Sequence, residues 1–211
     1  MKVYFFLFLI LAMQVSCSSK KITLNSADSI RGDAVVSKII PDRNMGDKSF
    51  MHLYAWTQNG VLNVNRLFID FDLRKLPTDR QIDKAILHLY YDSANQYYIN
   101  MKHDKRLNLP YNFLIQRIIS DWNEKTITWN TQPNVTNENQ SVAVKVENMN
   151  EMDYAIDVTS LIKDMLIDEN TGFGFMIRLE NEEPYKAIAI APSEQPDKKL
   201  HPKLEVFYHK K

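Results

Sequence analysis

The chain has 211 residues, with 26 Lys+Arg balanced by 26 Asp+Glu, and 45% of its residues are hydrophobic. Zero net charge with scattered basic residues excludes the basic stripe of a nucleic-acid binder, and one cysteine excludes an intrachain disulfide. The length suits one compact domain, able to bury a core without covalent staples.

Met1 and Lys2 precede an unbroken apolar run from Val3 to Met13, and Gln14, Val15 and Ser16 lead into Cys17. The run is shorter than the roughly 20 residues that cross a bilayer as a helix, so it reads as an export signal. A small residue just before the chain's single cysteine resembles the lipobox of bacterial lipoproteins. The division expected is a signal peptide over 1–16, a lipidated Cys17 with a polar tether over 17–31, and a folded domain over 32–211. An exported outer-membrane lipoprotein follows, on the periplasmic or the cell-surface face. A plain signal followed by a free thiol is the alternative, and gives an extracellular protein.

Beyond the tether the pattern has period two. Strands are expected over 34–39, 50–57, 61–64, 66–73, 85–90, 97–102, 114–119, 142–146, 154–158, 173–179, 186–191 and 204–208. In the fourth of these, Leu67, Ile69, Phe71 and Leu73 share one face, while Arg66, Phe68, Asp70 and Asp72 share the other. Asn59-Gly60 between two runs is a tight hairpin signal. Only 159–168 has helical spacing, with Leu161, Ile162, Met165 and Leu166 as its stripe. Many short strands and one short helix predict an all-β, two-sheet sandwich.

The chain also carries a family pattern. Its residues are Asp33, Asn44-Met45-Gly46, the run Arg66 to Leu73, Leu76-Pro77, Ala85 to Tyr90, Asp121-Trp122-Asn123-Glu124, and Thr126 to Asn130 with Pro133. Asp157-Val158-Thr159, Gly172 to Phe175, Ser193-Glu194 and Pro202 to Val206 complete it. This resembles the DNRLRE domain, also treated as carbohydrate-binding module family 96. The resemblance implies a jelly-roll sandwich, secretion, and acidic polysaccharides such as alginate as ligands.

Few residues suggest chemistry of their own. Asp70 and Asp72 alternate on one strand face, as an acid–base pair for glycoside cleavage would require, but a solvated strand face is the better reading. The five histidines are dispersed without zinc spacing, and no nucleophile elbow or phosphate loop is present, so no enzyme, catalytic metal or cofactor is expected, a structural calcium being left open. Trp122 and Trp129 are assigned to a strand-turn-strand element locked onto the core, the indole N–H satisfied by a carboxylate. The ligand candidates are Tyr54, Trp56, Arg66, Tyr90, Tyr97, Tyr98, Lys102, Arg106, Arg178 and Lys186, with Tyr111 and Lys105 beside them. Tyrosine rings cover sugar faces and guanidinium groups pair with carboxylates. Two function classes follow. One is a non-catalytic envelope lipoprotein that holds a uronate-containing polysaccharide; the other is a structural or adhesive envelope protein that uses the sandwich for protein contacts. Neither involves nucleic acid, and the membrane is engaged only through the lipid. Replacing Cys17 with alanine is expected to release a folded, soluble product, checked by fractionation; a product still bound to membrane rejects the lipobox.

Overall fold

A computed structural model describes residues 19–92, 104–148, 153–167 and 172–210. The strands are β1 (Lys20–Asn25), β2 (Asp33–Ser37), β3 (Met51–Gln58), β4 (Val61–Ile69), β5 (Arg80–Leu89) and β6 (Tyr111–Arg117). They continue with β7 (Val142–Val146), β8 (Tyr154–Asp157), β9 (Phe175–Leu179), β10 (Lys186–Ile190) and β11 (Lys203–Lys210), and among the described residues one α-helix, α1, spans Thr159–Ile167. β1-β11-β5-β8 form one antiparallel sheet; β10-β3-β4-β9-β6-β7 form the other, with β2 paired to β4. The two-sheet sandwich is therefore the architecture of the chain.

Apolar residues at alternate strand positions meet between the sheets: Leu67 and Ile69 of β4, Ile177 of β9, Phe113 and Ile115 of β6, Leu87 and Leu89 of β5, and Leu204 and Val206 of β11 are all fully buried. Asn59 and Gly60 turn β3 into β4 with φ of 50° and 78°, the left-handed pair a tight hairpin needs. α1 adds Leu161, Ile162 and Met165 to the core. Its start is tied down twice, since the Ala85 N–H donates to Thr159 Oγ1 at 2.9 Å and the Thr159 N–H donates to Asp157 Oδ1 at 3.0 Å.

Three sequence expectations change. The polar stretch after Cys17 is not wholly a tether: Lys20–Asn25 adds an edge strand to β11, with Leu24 buried opposite Leu204. The short alternation of Ile22 and Leu24 was hidden among lysines, which an exposed strand edge tolerates. The runs 61–64 and 66–73 belong largely to one strand that ends at Ile69, and Leu73 starts a single 3-10 turn. The segment 121–131 is not strand-turn-strand but a sequence of turns with a 3-10 turn over Trp129–Thr131. The expected strand at 97–102 lies outside the described residues, as does Cys17.

That irregular segment, 118–136, crosses the outer face of the larger sheet and creates a second core. Ala34 and Val36 of β2, Phe68 of β4 and Met176 of β9 are covered by Ile118, Trp122 and Ile127. The Trp122 ring meets Phe68 at 5.8 Å between centroids, and its indole N–H donates to the Phe173 carbonyl at 2.8 Å, so the partner is backbone rather than the expected carboxylate. β4 is thus buried on both faces, which explains why Phe68 sits in the polar phase of its alternation and is still fully enclosed. The Asn44 side-chain amide clips the crossing segment by donating to the carbonyls of Glu124 at 2.7 Å and Ile127 at 2.8 Å. Trp122→Ala is expected to destabilise the domain by about 3–5 kcal/mol, as for other buried aromatic truncations, read from urea unfolding. A loss below about 1 kcal/mol would mean that the crossing segment is not part of the cooperative fold.

Candidate functional site

The connection between β9 and β10, residues 180–185, organises the outer surface of the larger sheet. The Glu180 carboxylate accepts from the Asn112 amide at 2.8 Å. The Asn181 carbonyl accepts from Lys186 Nζ at 3.0 Å. Glu182 takes Arg66 in a two-point pair, at 2.7 and 3.0 Å. Tyr185 sits at φ 73°, a left-handed conformation that is costly for an aromatic residue. Backbone bonds on both sides hold it there, from Tyr185 N–H to the Ala55 carbonyl at 2.8 Å and from Asn108 N–H to the Tyr185 carbonyl at 2.8 Å. Its ring stands edge-on to Trp56 at 5.2 Å, and the Arg106 guanidinium lies over both, 5.4 Å from Trp56 and 5.2 Å from Tyr185. Arg106 in turn holds the Asp104 carboxyl down at about 2 through a two-point hydrogen bond.

Beside this connection is an open polar cleft of about 400 Å³, lined by Asn108, Pro110, Tyr111, Asn112, Lys145, Glu180, Asn181, Glu183 and Lys186. Three amides, two ammonium groups and two carboxylates converge there. An Asn side chain offers donors and an acceptor at once, which is what a pair of neighbouring sugar hydroxyls requires. Lys186 Nζ is almost entirely enclosed, with Glu183 at 3.7 Å.

The sequence-predicted ligand residues divide among four fates. Lys186 lines the cleft, while Arg66 and Arg106 meet the 180–185 connection at Glu182 and Tyr185, neither of which lines it. Arg178 reaches the same region, donating to the Gln116 side chain at 2.9 Å and to the carbonyls of Leu179 and Glu180, and pairing with Glu138. Tyr54 and Trp56 are core residues, each 6% exposed, with the Tyr54 hydroxyl accepting from Asn63 Nδ2 at 2.5 Å; they support the site from beneath rather than face a ligand. Tyr111 is likewise buried, its hydroxyl donating to the Ala187 carbonyl at 2.6 Å. Tyr90 directly follows β5 of the smaller sheet, stacked near His88 with Lys203 Nζ 5.0 Å from its ring centre, and does not line the cleft. Tyr97, Tyr98 and Lys102 lie outside the described residues. Asp70 and Asp72 do not form a solvated acid–base face. Asp70 is 1% exposed and receives Arg31, while Asp72 caps the following turn and pairs with Arg74 at 2.8 Å.

A second cluster lies elsewhere. Asp33 at the start of β2, Glu124 in the crossing segment and Glu194 after β10 each place a carboxylate oxygen within 4.8 Å of the others. Burial, and then the Glu194 charge, push the Asp33 carboxyl up to about 7. Glu124 and Glu194 are also raised, burial being the first cause for each.

Residues 25–208 match the sequence pattern of carbohydrate-binding module family 96. The chain belongs to that family. No curated protein compared with it matches. Carbohydrate binding is therefore the activity the geometry has to serve, and the amide-rich cleft offers donors and acceptors suited to sugar hydroxyls. Sequence reasoning ranked aromatics and cations and missed Asn108, Asn112, Asn181 and Lys145. The only signal for them was a concentration of Asn near strand ends, which turns also produce.

The module's cations differ in how firmly they are held. Glu138 is 71% exposed, whereas the Gln116 oxygen that Arg178 satisfies belongs to a residue 3% exposed. Glu138→Ala is expected to cost no more than about 1 kcal/mol. Arg178→Ala is expected to cost about 1–3 kcal/mol, because it strands a buried acceptor. Chemical denaturation of the two variants checks the asymmetry; equal costs would place the anchor of Arg178 in the ion pair.

Proposed function

We propose that this module holds an acidic, uronate-bearing polysaccharide at the bacterial envelope, carried there by a lipid on Cys17, and does not cleave it. The observation that carries the reading is the gathering of cations around the 180–185 connection, each answered by a carboxylate of the protein itself. Three of those carboxylates are largely solvated: Glu138 on Arg178 is 71% exposed, Glu147 on Lys145 is 68% and Glu183 on Lys186 is 68%. Solvated pairs contribute little to stability, so a ligand carboxylate can take the place of the internal one at small cost. The amides of Asn112 and Asn181 then address hydroxyls, while the enclosed Lys186 ammonium supplies a fixed charge. The acidic ligands implied by the family resemblance suit this arrangement. The absence of cleavage is supported by the carboxylates of Asp70 and Asp72, one enclosed and the other engaged with Arg74, which leaves no free acid–base pair at that position.

Calorimetric titration of the purified protein with an oligouronate and with a neutral glucan oligomer, at low and high salt, tests the proposal. The uronate is expected to bind more tightly, to weaken as salt screens the cations, and to be recovered at its original length. Lys145→Ala and Asn112→Ala, both on exposed or half-exposed positions, are each expected to lose about tenfold in affinity, or roughly 1.4 kcal/mol. Equal affinity for the neutral glucan removes the acidic preference. Unchanged affinity in both variants removes the cleft, and new chain ends refute catalytic silence.

A further inference from the structure

We propose that Asp33, Glu124 and Glu194 bind one calcium ion that fastens the crossing segment and the β10–β11 connection to the start of β2. The three side chains come from widely separated parts of the chain, yet an oxygen of each falls within 4.8 Å of the other two. Calcium–oxygen bonds are about 2.3–2.6 Å, so ligands on opposite sides of the ion stand up to about 5 Å apart and the three oxygens fit round one ion. The set is all oxygen, which suits a hard cation better than zinc.

Among the described residues no Lys or Arg forms a salt bridge with any of the three; Lys125 and His201 act on Glu124 and Glu194 only through their charge. Two further observations point to a missing partner. Glu124 Oε1 is shielded from solvent and has no hydrogen-bond partner. Ser26 is fully buried and its hydroxyl, directed at the Asp33 carboxyl, forms no properly closed hydrogen bond. The surroundings are also shaped to the carboxylate: a Cβ on Gly32, which sits at φ 76°, would fall 2.6 Å from the Glu124 carboxyl group. Gly46 lets the Glu124 backbone approach so closely that any side chain there would collide with it. Glycine at both positions therefore leaves the room that Glu124 occupies. Carboxylates this close, one of them buried, repel one another unless a cation or protons intervene, and Asp33 is further fixed by accepting from the Ser193 N–H at 3.0 Å. The site does not involve the cleft, and the inference does not rest on the glycan reading.

The test uses the purified chain stripped with EDTA, titrated with calcium chloride and, in parallel, magnesium chloride, by calorimetry and thermal melting. One calcium per chain is expected, with Tm rising as calcium is added and magnesium at least tenfold weaker. Glu194→Gln is the informative variant, because Glu194 is exposed and its replacement leaves the fold intact even if Asp33→Asn does not fold. It is expected to weaken calcium at least tenfold, as is Glu124→Gln. No heat and no rise in Tm at millimolar calcium, unchanged affinity in both variants, or magnesium binding as tightly as calcium would each overturn the proposal.

Discussion

The enclosure of Phe68 is the constraint on which much of the architecture depends. A sandwich strand ordinarily shows one face to the core and one to water, but β4 carries an aromatic on its outer phase that must be covered. The cover is a segment without regular structure, so its backbone groups need partners one by one. Asn44 supplies two of them, Phe173 accepts from the Trp122 ring, and Thr128 and Thr131 cap one another. Apolar burial provides the driving force, and these polar bonds set the path the segment takes.

The same cover shapes the surface around it. Trp129 lies at the border between the two cores, with the Arg66 guanidinium 4.7 Å above its ring, while Arg66 also binds Gln132 and Glu182. The crossing segment and the 180–185 connection are thereby joined through one arginine. Two connections anchored to each other and to the sheet beneath have less conformational freedom than two independent loops would have.

The sequence made local periodicity legible and long-range partnership illegible. Leu67, Ile69 and Ile177 declared their faces by alternation, and Asn59-Gly60 declared its hairpin, because each depends on neighbours within a few residues. The role of Trp122 was recoverable in outline, as a ring against the core, but not its acceptor, which lies some 50 residues away. Arg66 and Arg178 were rightly placed on the outer phase of their strands, yet nothing local shows that Glu182 and Glu138 answer them. Tyr54 and Trp56 show why aromatic residues are ambiguous in a sequence: such rings suit both sugars and cores, and only burial separates the two. The convergence of Asp33, Glu124 and Glu194 depends wholly on the tertiary fold.

The edge strand β1 also sets a distance. Its first residue, Lys20, is paired with Tyr208, and only two residues separate it from Cys17. At no more than about 3.6 Å per residue, an acyl group on that cysteine would stand within roughly 11 Å of the rim of the four-stranded sheet. Held by such a lipid, the domain would have little standoff: it would ride at the lipid surface with that rim turned toward the headgroups, sampling a thin layer next to the membrane instead of the wide volume a flexible leash would allow.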